Sequence, residues 1–142
     1  MSEFDLPDVN VLVALLHPNH VHHRSAQAWF GSVGSFATTP VTEAGLIRMA
    51  LNPAVMGRTL GAAAALVSLR SLRADTRARF LPDDSSLAGA AIDLAVLVGH
   101  RQVTDLHLVN LAAGHDATLV TFDTKLARAL APSDQARVRT LV

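Results

Sequence analysis

Four acidic residues stand where the sequence turns from an apolar or Thr-rich stretch toward a helix. Asp8 follows "EFDLP", Glu43 follows "SFATTPVT", Asp105 follows "RQVT" and Asp123 follows "ATLVTF". Carboxylates within a few ångströms of one another raise each other's pKa and repel unless a cation compensates their charge. A set of hard oxygen ligands without His or Cys suits Mg²⁺ or Mn²⁺. Such an ion can activate water and stabilise the charge that develops when a phosphodiester is cut.

Each of these acids also has a simpler explanation when it is considered alone. A carboxylate in the first turn of a helix interacts favourably with the helix dipole, which contributes about 0.3–1 kcal/mol. Glu43 stands out slightly, because Glu3 is the only other glutamate in the chain. The metal hypothesis therefore depends on whether the fold brings the four acids together.

The elements that would position the acids can be predicted from apolar periodicity and from Pro and Gly. Strands are expected at residues 4–7, 35–39, 78–82 and 117–122, with a last strand in "RVRTLV". Helices are expected at residues 9–16, 20–33, 40–51, 57–73, 85–99 and 104–114. The Thr39 hydroxyl is expected to cap the third of these helices, and Asp123 is expected to cap another helix after it.

Strands that alternate with helices predict an α/β fold with a central parallel sheet covered on both faces. In such sheets the carboxyl ends of the strands lie along one edge, where ligands usually bind. We therefore expect the four acids to be directed toward the same edge.

Composition limits the other possibilities. The chain has 142 residues, half of them hydrophobic, which fits a single domain over residues 1–142. The formal net charge is zero, and there is no cysteine, no long apolar run and no secretory signal pattern. We expect a cytoplasmic protein without a membrane partner. The segment with Arg70, Arg73, Arg77 and Arg79 could contact phosphate or form a solvated helix face.

Several blocks of the sequence resemble, in order and spacing, those of PIN-domain ribonucleases, in particular the VapC-type toxins of bacterial toxin–antitoxin pairs. These blocks are "DVNVLVALL", "HPNHVHHRSAQAWF", "TPVTEAGLIRM" and "VTDLHLVNLAAGHDATLVTFD". The resemblance covers nearly the whole chain. It implies a three-layer α/β/α sandwich, an acidic pocket that binds Mg²⁺ or Mn²⁺, cleavage of RNA, and neutralisation by a small antitoxin protein.

The resemblance also assigns roles to individual residues. Asp8, Glu43, Asp105 and Asp123 match the four acids of the family in order, with Asp8 and Asp105 as the principal metal ligands. Glu43 and Asp123 would hold a second ion or position the attacking water. In a supporting role, Asn10 would hydrogen-bond Asp8. Thr121 could orient Asp123 or the phosphate, although a Thr that is simply buried in a strand is the favoured interpretation, and Arg48 could approach the substrate or be an ordinary surface Arg. By contrast, Asp5 lacks the pattern that follows Asp8 and is expected to be incidental.

Other functions remain as alternatives. The chain could be a catalytically silent PIN-fold binding module, or a phosphatase of the haloacid-dehalogenase kind, although Asn10 stands where that class has a second Asp. His20 and His23, at i and i+3, could share a helix face and bind zinc. The apolar and Arg-rich segment at residues 57–80 could contact the antitoxin or a second copy in a homodimer.

Overall fold

Five parallel strands form the centre of the computed structural model, which describes residues 3–57 and 61–142. The strands β1 to β5 span Phe4–Pro7, Phe36–Thr38, Ala78–Phe80, Ala117–Thr121 and Val138–Thr140, in the sheet order β3-β2-β1-β4-β5. The helices α1 to α7 span Val9–Leu16, His23–Ser32, Pro40–Ala50, Pro53–Met56, Ala62–Ala74, Val103–Gly114 and Leu126–Ala129. The predicted parallel α/β sheet is confirmed. No helix within those two ranges is long and apolar enough to cross a bilayer.

Helices cover both faces of the sheet. Successive residues of a strand point to opposite faces, so neighbouring residues of one strand pack in different cores. Val120 of β4 packs in one core with Leu12 of α1 and Trp29 of α2. Leu119, the preceding residue, packs in a second core with Leu106 of α6. Two cores separated by one sheet make the three-layer α/β/α sandwich that the family resemblance implies.

Asp5 is buried in β1 and has a structural role in the fold. Its Oδ2 accepts a hydrogen bond from the indole Nε1 of Trp29 at 2.8 Å and pairs with the Arg139 guanidinium of β5. The same three side chains line a polar cavity that also includes Glu3 and Ser35, which precede β1 and β2. Asp5 therefore joins the sheet to α2 at the edge opposite the carboxyl ends of the strands.

The predicted helix at residues 57–73 is wrong at its start. Gly57 ends α4 in the left-handed conformation, with φ of 73°, and donates its N–H to the Pro53 carbonyl. Glycine adopts this conformation at little cost, which is why it commonly ends helices. The next described helix, α5, begins at Ala62, and residues 58–60 of the prediction lie outside the described residues.

The predicted helix at residues 85–99 is also wrong. Short 3-10 turns take its place at Leu87–Gly89 and Leu94–Val96, and a third follows at His100–Gln102. Side chains from elsewhere take the backbone N–H groups that a helix would use. Asn110 Oδ1 accepts from Ala91 at 2.8 Å, and Asp134 Oδ2 accepts from Asp93 at 2.8 Å. Hydrogen bonds of this kind compete with helix formation.

The helix predicted from His20 begins instead at His23. His22 donates its backbone N–H to Nδ1 of His20 at 3.0 Å, which closes a turn before α2. Since His20 precedes the helix, the i, i+3 zinc arrangement with His23 is not formed. His23 uses its Nδ1 to donate to the Ala14 carbonyl at 2.7 Å.

Gly45 brings α3 unusually close to α1. A Cβ atom on Gly45 would lie 2.5 Å from Cγ2 of Val9, far inside van der Waals contact. Thr39 precedes α3 as predicted, but its hydroxyl makes no capping bond. The Thr42 hydroxyl instead accepts from the Thr39 N–H and donates to the Thr39 carbonyl, each at 3.1 Å. Both features fix α3 against the start of α1.

Candidate functional site

Asp8 lies at the carboxyl end of the central strand β1, immediately before α1. Its N–H donates to the Val120 carbonyl of β4 at 2.8 Å, and its Oδ1 accepts from the Val9 N–H at 2.7 Å, which caps α1. Pro7, directly before it, is the last residue of β1 and pairs with Val120 of β4. Asp8 is thus a buried helix cap as well as a member of the acidic set.

Thr121, the last residue of β4, links three candidate residues. Its hydroxyl donates to Oδ2 of Asp8 at 3.1 Å and accepts from Nδ2 of Asn10 at 3.2 Å and from the Asp123 N–H at 3.1 Å. A hydroxyl offers one donor and two acceptor positions, so all three are used. Asn10 also accepts from the Phe122 N–H at 3.3 Å. Its link to Asp8 runs through Thr121 rather than through a direct bond.

Asp105 and Asp123 complete a set of three carboxylates. Asp105 is half-buried in the first turn of α6, and burial together with the charges of Asp8 and Asp123 raises its pKa to about 6. Burial also raises the pKa of Asp8, against the lowering effect of its hydrogen bonds from Val9 and Thr121, and Asp123 raises it further. The structure therefore brings three of the four acids into one electrostatic environment.

Glu43 has different contacts from the other three acids. It lies in the first turn of α3, and its Oε2 accepts from the Thr38 hydroxyl of β2 at 2.6 Å. The same oxygen is 3.6 Å from Nε of Arg73, whose guanidinium stacks on the Phe80 ring. Glu43 thus has a cationic partner of its own, whereas the charges that raise the pKa of Asp105 come from Asp8 and Asp123.

Two basic residues that the sequence analysis missed border the acids. Arg101 and Lys125 line a cavity of about 190 Å³ together with Asp105 and Asp123. Both lie within a few residues of an acid in the sequence, and this spacing was the available signal. By contrast, Arg48 is exposed on α3, and the described residues give it no hydrogen bond or ion pair.

The Arg-rich segment does not form a phosphate patch as a whole. Arg77 donates to both carboxylate oxygens of Asp75 at 2.9 Å and to the Phe30 carbonyl, and it stacks on the Phe30 ring. Arg79 lies over the Phe4 ring. These guanidinium groups are engaged within the fold, and Arg73 contacts Glu43 of the site.

The chemistry of the acidic set fits a divalent cation, although its spacing is not a closed cage. Across residues 3–57 and 61–142, no group of three or more His, Asp or Glu side chains is close enough to enclose a metal ion. Mg²⁺ is commonly held by only one or two carboxylates, with water and substrate phosphates as its other ligands. Asp8, Asp105 and Asp123 offer hard oxygens, and their mutual repulsion would be relieved by a cation.

Comparison with known proteins identifies the family of the chain. The PIN domain model matches residues 6–130. Ribonuclease VapC39 of Mycobacterium tuberculosis H37Rv is 47% identical over 125 residues, which cover 86% of this chain and 90% of that protein. Ribonuclease VapC38 of the same strain is 46% identical over 83% of this chain and 84% of its own length. Ribonuclease VapC29 is 42% identical over 86% of this chain and 87% of its own length.

The ordered acids, the parallel sheet that carries them and the match over residues 6–130 agree with one another. The chain belongs to the PIN-domain family and is a VapC-type PIN ribonuclease by relationship.

Proposed function

We propose that this chain is a Mg²⁺- or Mn²⁺-dependent endoribonuclease and the toxin of a toxin–antitoxin pair. The observation that carries the proposal is the acidic set itself: Thr121 links Asp8 and Asp123, and burial together with the charges of these two acids raises the pKa of Asp105 to about 6. Neighbouring carboxylates repel one another unless a cation is bound, and their oxygens are suitable ligands for Mg²⁺. Relatives with 42–47% identity are named ribonucleases, which supports hydrolysis of RNA as the reaction.

The proposed roles follow from the contacts of each acid. A bound divalent ion would activate water and stabilise charge on the phosphate. Asp8 is held in one orientation by Val9 and Thr121 and, with Asp105, would be a principal ligand. Asp123, whose N–H is fixed by Thr121, would hold the ion from the end of β4. Glu43 has Oε2 engaged by Thr38, so its Oε1 would orient the attacking water.

Basic residues at the border of the acids would contact the substrate. Arg101 and Lys125 flank Asp105 and Asp123, and guanidinium and ammonium groups both bind phosphate. With a formal net charge of zero, the chain has little general attraction for nucleic acid. We therefore propose that it acts in the cytoplasm on exposed loops of structured RNA, where unpaired bases and phosphates can enter a cleft.

An apolar groove between α1, α2 and α5 supports the proposed protein partners. It has a volume of about 460 Å³ and is lined by Leu16, Phe30, Val67 and Leu72. Val67 is 61% exposed. An amphipathic antitoxin helix would bury these side chains, and neighbouring apolar surface would serve a twofold homodimer. The mass in solution of the purified chain tests the homodimer, and the mass of the chain with proteins co-purified from the native host tests the antitoxin.

The decisive test is metal-dependent cleavage by Asp8→Asn and wild type. We expect wild type to cleave RNA with Mg²⁺ or Mn²⁺ but not with chelator, and Asp8→Asn to be slower by about 100-fold or more. Asp84→Asn is a matched control, because Asp84 pairs with His115 beyond the carboxyl end of α6. Its cleavage rate should match wild type.

The outcomes separate the proposal from its alternatives. Cleavage that persists in a folded Asp8→Asn protein would show that the site is assigned wrongly. Folded wild type that binds RNA but never cleaves it would favour the silent binding module.

A further inference from the structure

A row of aromatic rings leads from the connection between α1 and α2 to the acidic set. Ring centroids are 6.4 Å apart for His17 and His20, 5.8 Å for His20 and His22, and 4.4 Å for His22 and Phe122. The last pair is stacked, with 12° between the ring planes. Phe122 directly precedes Asp123, so the row ends beside a proposed metal ligand.

The stacked pair has no evident part in forming α2. His22 is the residue before the helix, but its side chain makes no capping hydrogen bond. Its backbone N–H, which any residue could supply, donates to His20. The His22 ring is exposed to solvent while it covers the half-buried Phe122. An exposed ring held flat by a second ring is the geometry of a stacking platform.

A cavity connects this row to Asp8. Its volume is about 300 Å³, at the lower end of the range of about 300–1,000 Å³ for small-ligand pockets. Asp8, Asn10 and His20 form its polar wall, and Val9, Val13, Met49 and Val55 line the remainder. The cavity thus combines an apolar lining with a few polar groups.

His20 offers a hydrogen-bond donor to a base in the cavity. Burial and its neighbours His22, His17 and His23 lower its pKa, so the ring is neutral near pH 7. Because Nδ1 accepts from the His22 N–H, the proton of the neutral ring lies on Nε2, which is a hydrogen-bond donor.

We propose that His22 stacked on Phe122, together with the cavity beside His20, binds unpaired RNA bases next to the phosphate that is cut. The inference rests on the proposed ribonuclease function and adds to it the contact that selects single-stranded substrate. Proteins recognise unpaired bases by stacking them on Phe, Tyr, Trp or His. Such stacking tolerates any base, because every base has a flat face.

Two variants of His22 separate base stacking from simple covering of Phe122. His22→Phe keeps an aromatic face, whereas His22→Leu covers Phe122 but offers no ring. Each is combined with Asp8→Asn so that binding is measured without cleavage. The probe is a short fluorescein-labelled RNA of mixed sequence, with its preformed duplex for comparison. His115→Ala, which replaces a histidine paired with Asp84, is the matched control.

We expect His22→Leu to weaken single-strand binding by about 5- to 100-fold, His22→Phe by less than about twofold, and His115→Ala not at all. Duplex binding should not change in any variant. A 2-aminopurine base in the same RNA should lose fluorescence on binding to the His22→Phe protein but not to the His22→Leu protein. Equal urea midpoints would show that all variants are folded.

Equal RNA affinity of the folded His22→Leu and His22→Phe proteins would overturn the inference. The inference would also be overturned if His22→Leu lost affinity only for a co-purified protein partner, because the stacked rings would then bind that partner. If wild type never cleaves RNA but the Leu and Phe variants differ as expected, the ribonuclease proposal fails and the stacking site stands. If wild type cleaves and His22→Leu cleaves single strands with unchanged KM, the stacking site fails alone.

Discussion

Replacing Asp105 by asparagine should stabilise the metal-free protein, even though it removes a proposed ligand. Burial and the nearby charges of Asp8 and Asp123 raise the pKa of Asp105 from 3.8 to about 6. The ionised carboxylate is therefore unfavourable in the folded protein. Asparagine has nearly the same shape as the neutral acid but never carries the charge.

The magnitude follows from the size of the pKa change. A change of about two pKa units corresponds to about 3 kcal/mol between the two protonation states. Asp105 is only half-buried, so solvent screening reduces the usable value to about 1–2 kcal/mol. We expect this gain in the free energy of unfolding for Asp105→Asn at neutral pH with chelator present.

The gain must depend on pH in a defined direction. Below the ordinary pKa of 3.8, Asp105 is protonated in both the folded and the unfolded chain and carries no penalty. Between pH 3.8 and about 6 the unfolded chain ionises Asp105 while the folded protein keeps it protonated, so stability falls over this range and the loss is complete above about pH 6. The advantage of Asp105→Asn should therefore be small near pH 4 and complete above about pH 6.5.

Urea denaturation followed by far-ultraviolet circular dichroism measures the difference in the free energy of unfolding between Asp105→Asn and wild type. It is done with chelator present, near pH 4 and above about pH 6.5. Asp84→Asn is the control, because the exposed Asp84–His115 pair should change stability by less than about 0.5 kcal/mol. Adding Mg²⁺ should stabilise wild type more than Asp105→Asn and so narrow the gap. A variant less stable than wild type at neutral pH, or equally stabilised near pH 4, would refute the reasoning.

Three further predictions concern the residues around the site and the fold. Thr121→Val should lower the free energy of unfolding by about 1–3 kcal/mol in urea, because three hydrogen bonds lose their shared hydroxyl, while Thr121→Ser should keep most of it. Gly45→Ala should cost about 1–3 kcal/mol through its clash with Val9, and Val9→Ala in the same chain should recover part; no recovery would contradict the contact. Asp75→Asn should destabilise the protein above about pH 4, because hydrogen bonds from Arg77 lower the pKa of Asp75 to about 2. That effect should fade as pH falls through about 2, and an effect constant with pH would argue against it.

The junctions that carry the acids could be predicted because their signals are local. Pro7 followed by Asp8, Thr39 followed by Pro40, and the apolar run before Asp123 each mark the end of a strand within a few residues. The parallel order of the sheet then follows from the alternation of strands and helices. This local information was enough to predict that all four acids lie toward the same edge of the sheet.

Contacts between distant segments could not be predicted in this way. Nothing near Glu43 indicates that Arg73 will lie beside it, and nothing near Asp8 indicates that Thr121 will share its hydroxyl. The same limit explains the failed helix at residues 85–99, where Asn110 and Asp134 take backbone N–H groups from outside the segment. Tertiary hydrogen bonds override local helix propensity there.

The buried pairing of Trp29 with Asp5 has a practical consequence for spectroscopy. Trp29 is the only tryptophan, and the chain has no tyrosine, so its near-ultraviolet emission comes from a single indole. That indole donates to a buried carboxylate at the sheet edge opposite the acidic set. Unfolding would break the bond and shift the emission to longer wavelength, while ligands at the acidic edge would not contact the fluorophore. One intrinsic reporter therefore follows unfolding at the edge of the sheet opposite the acidic set.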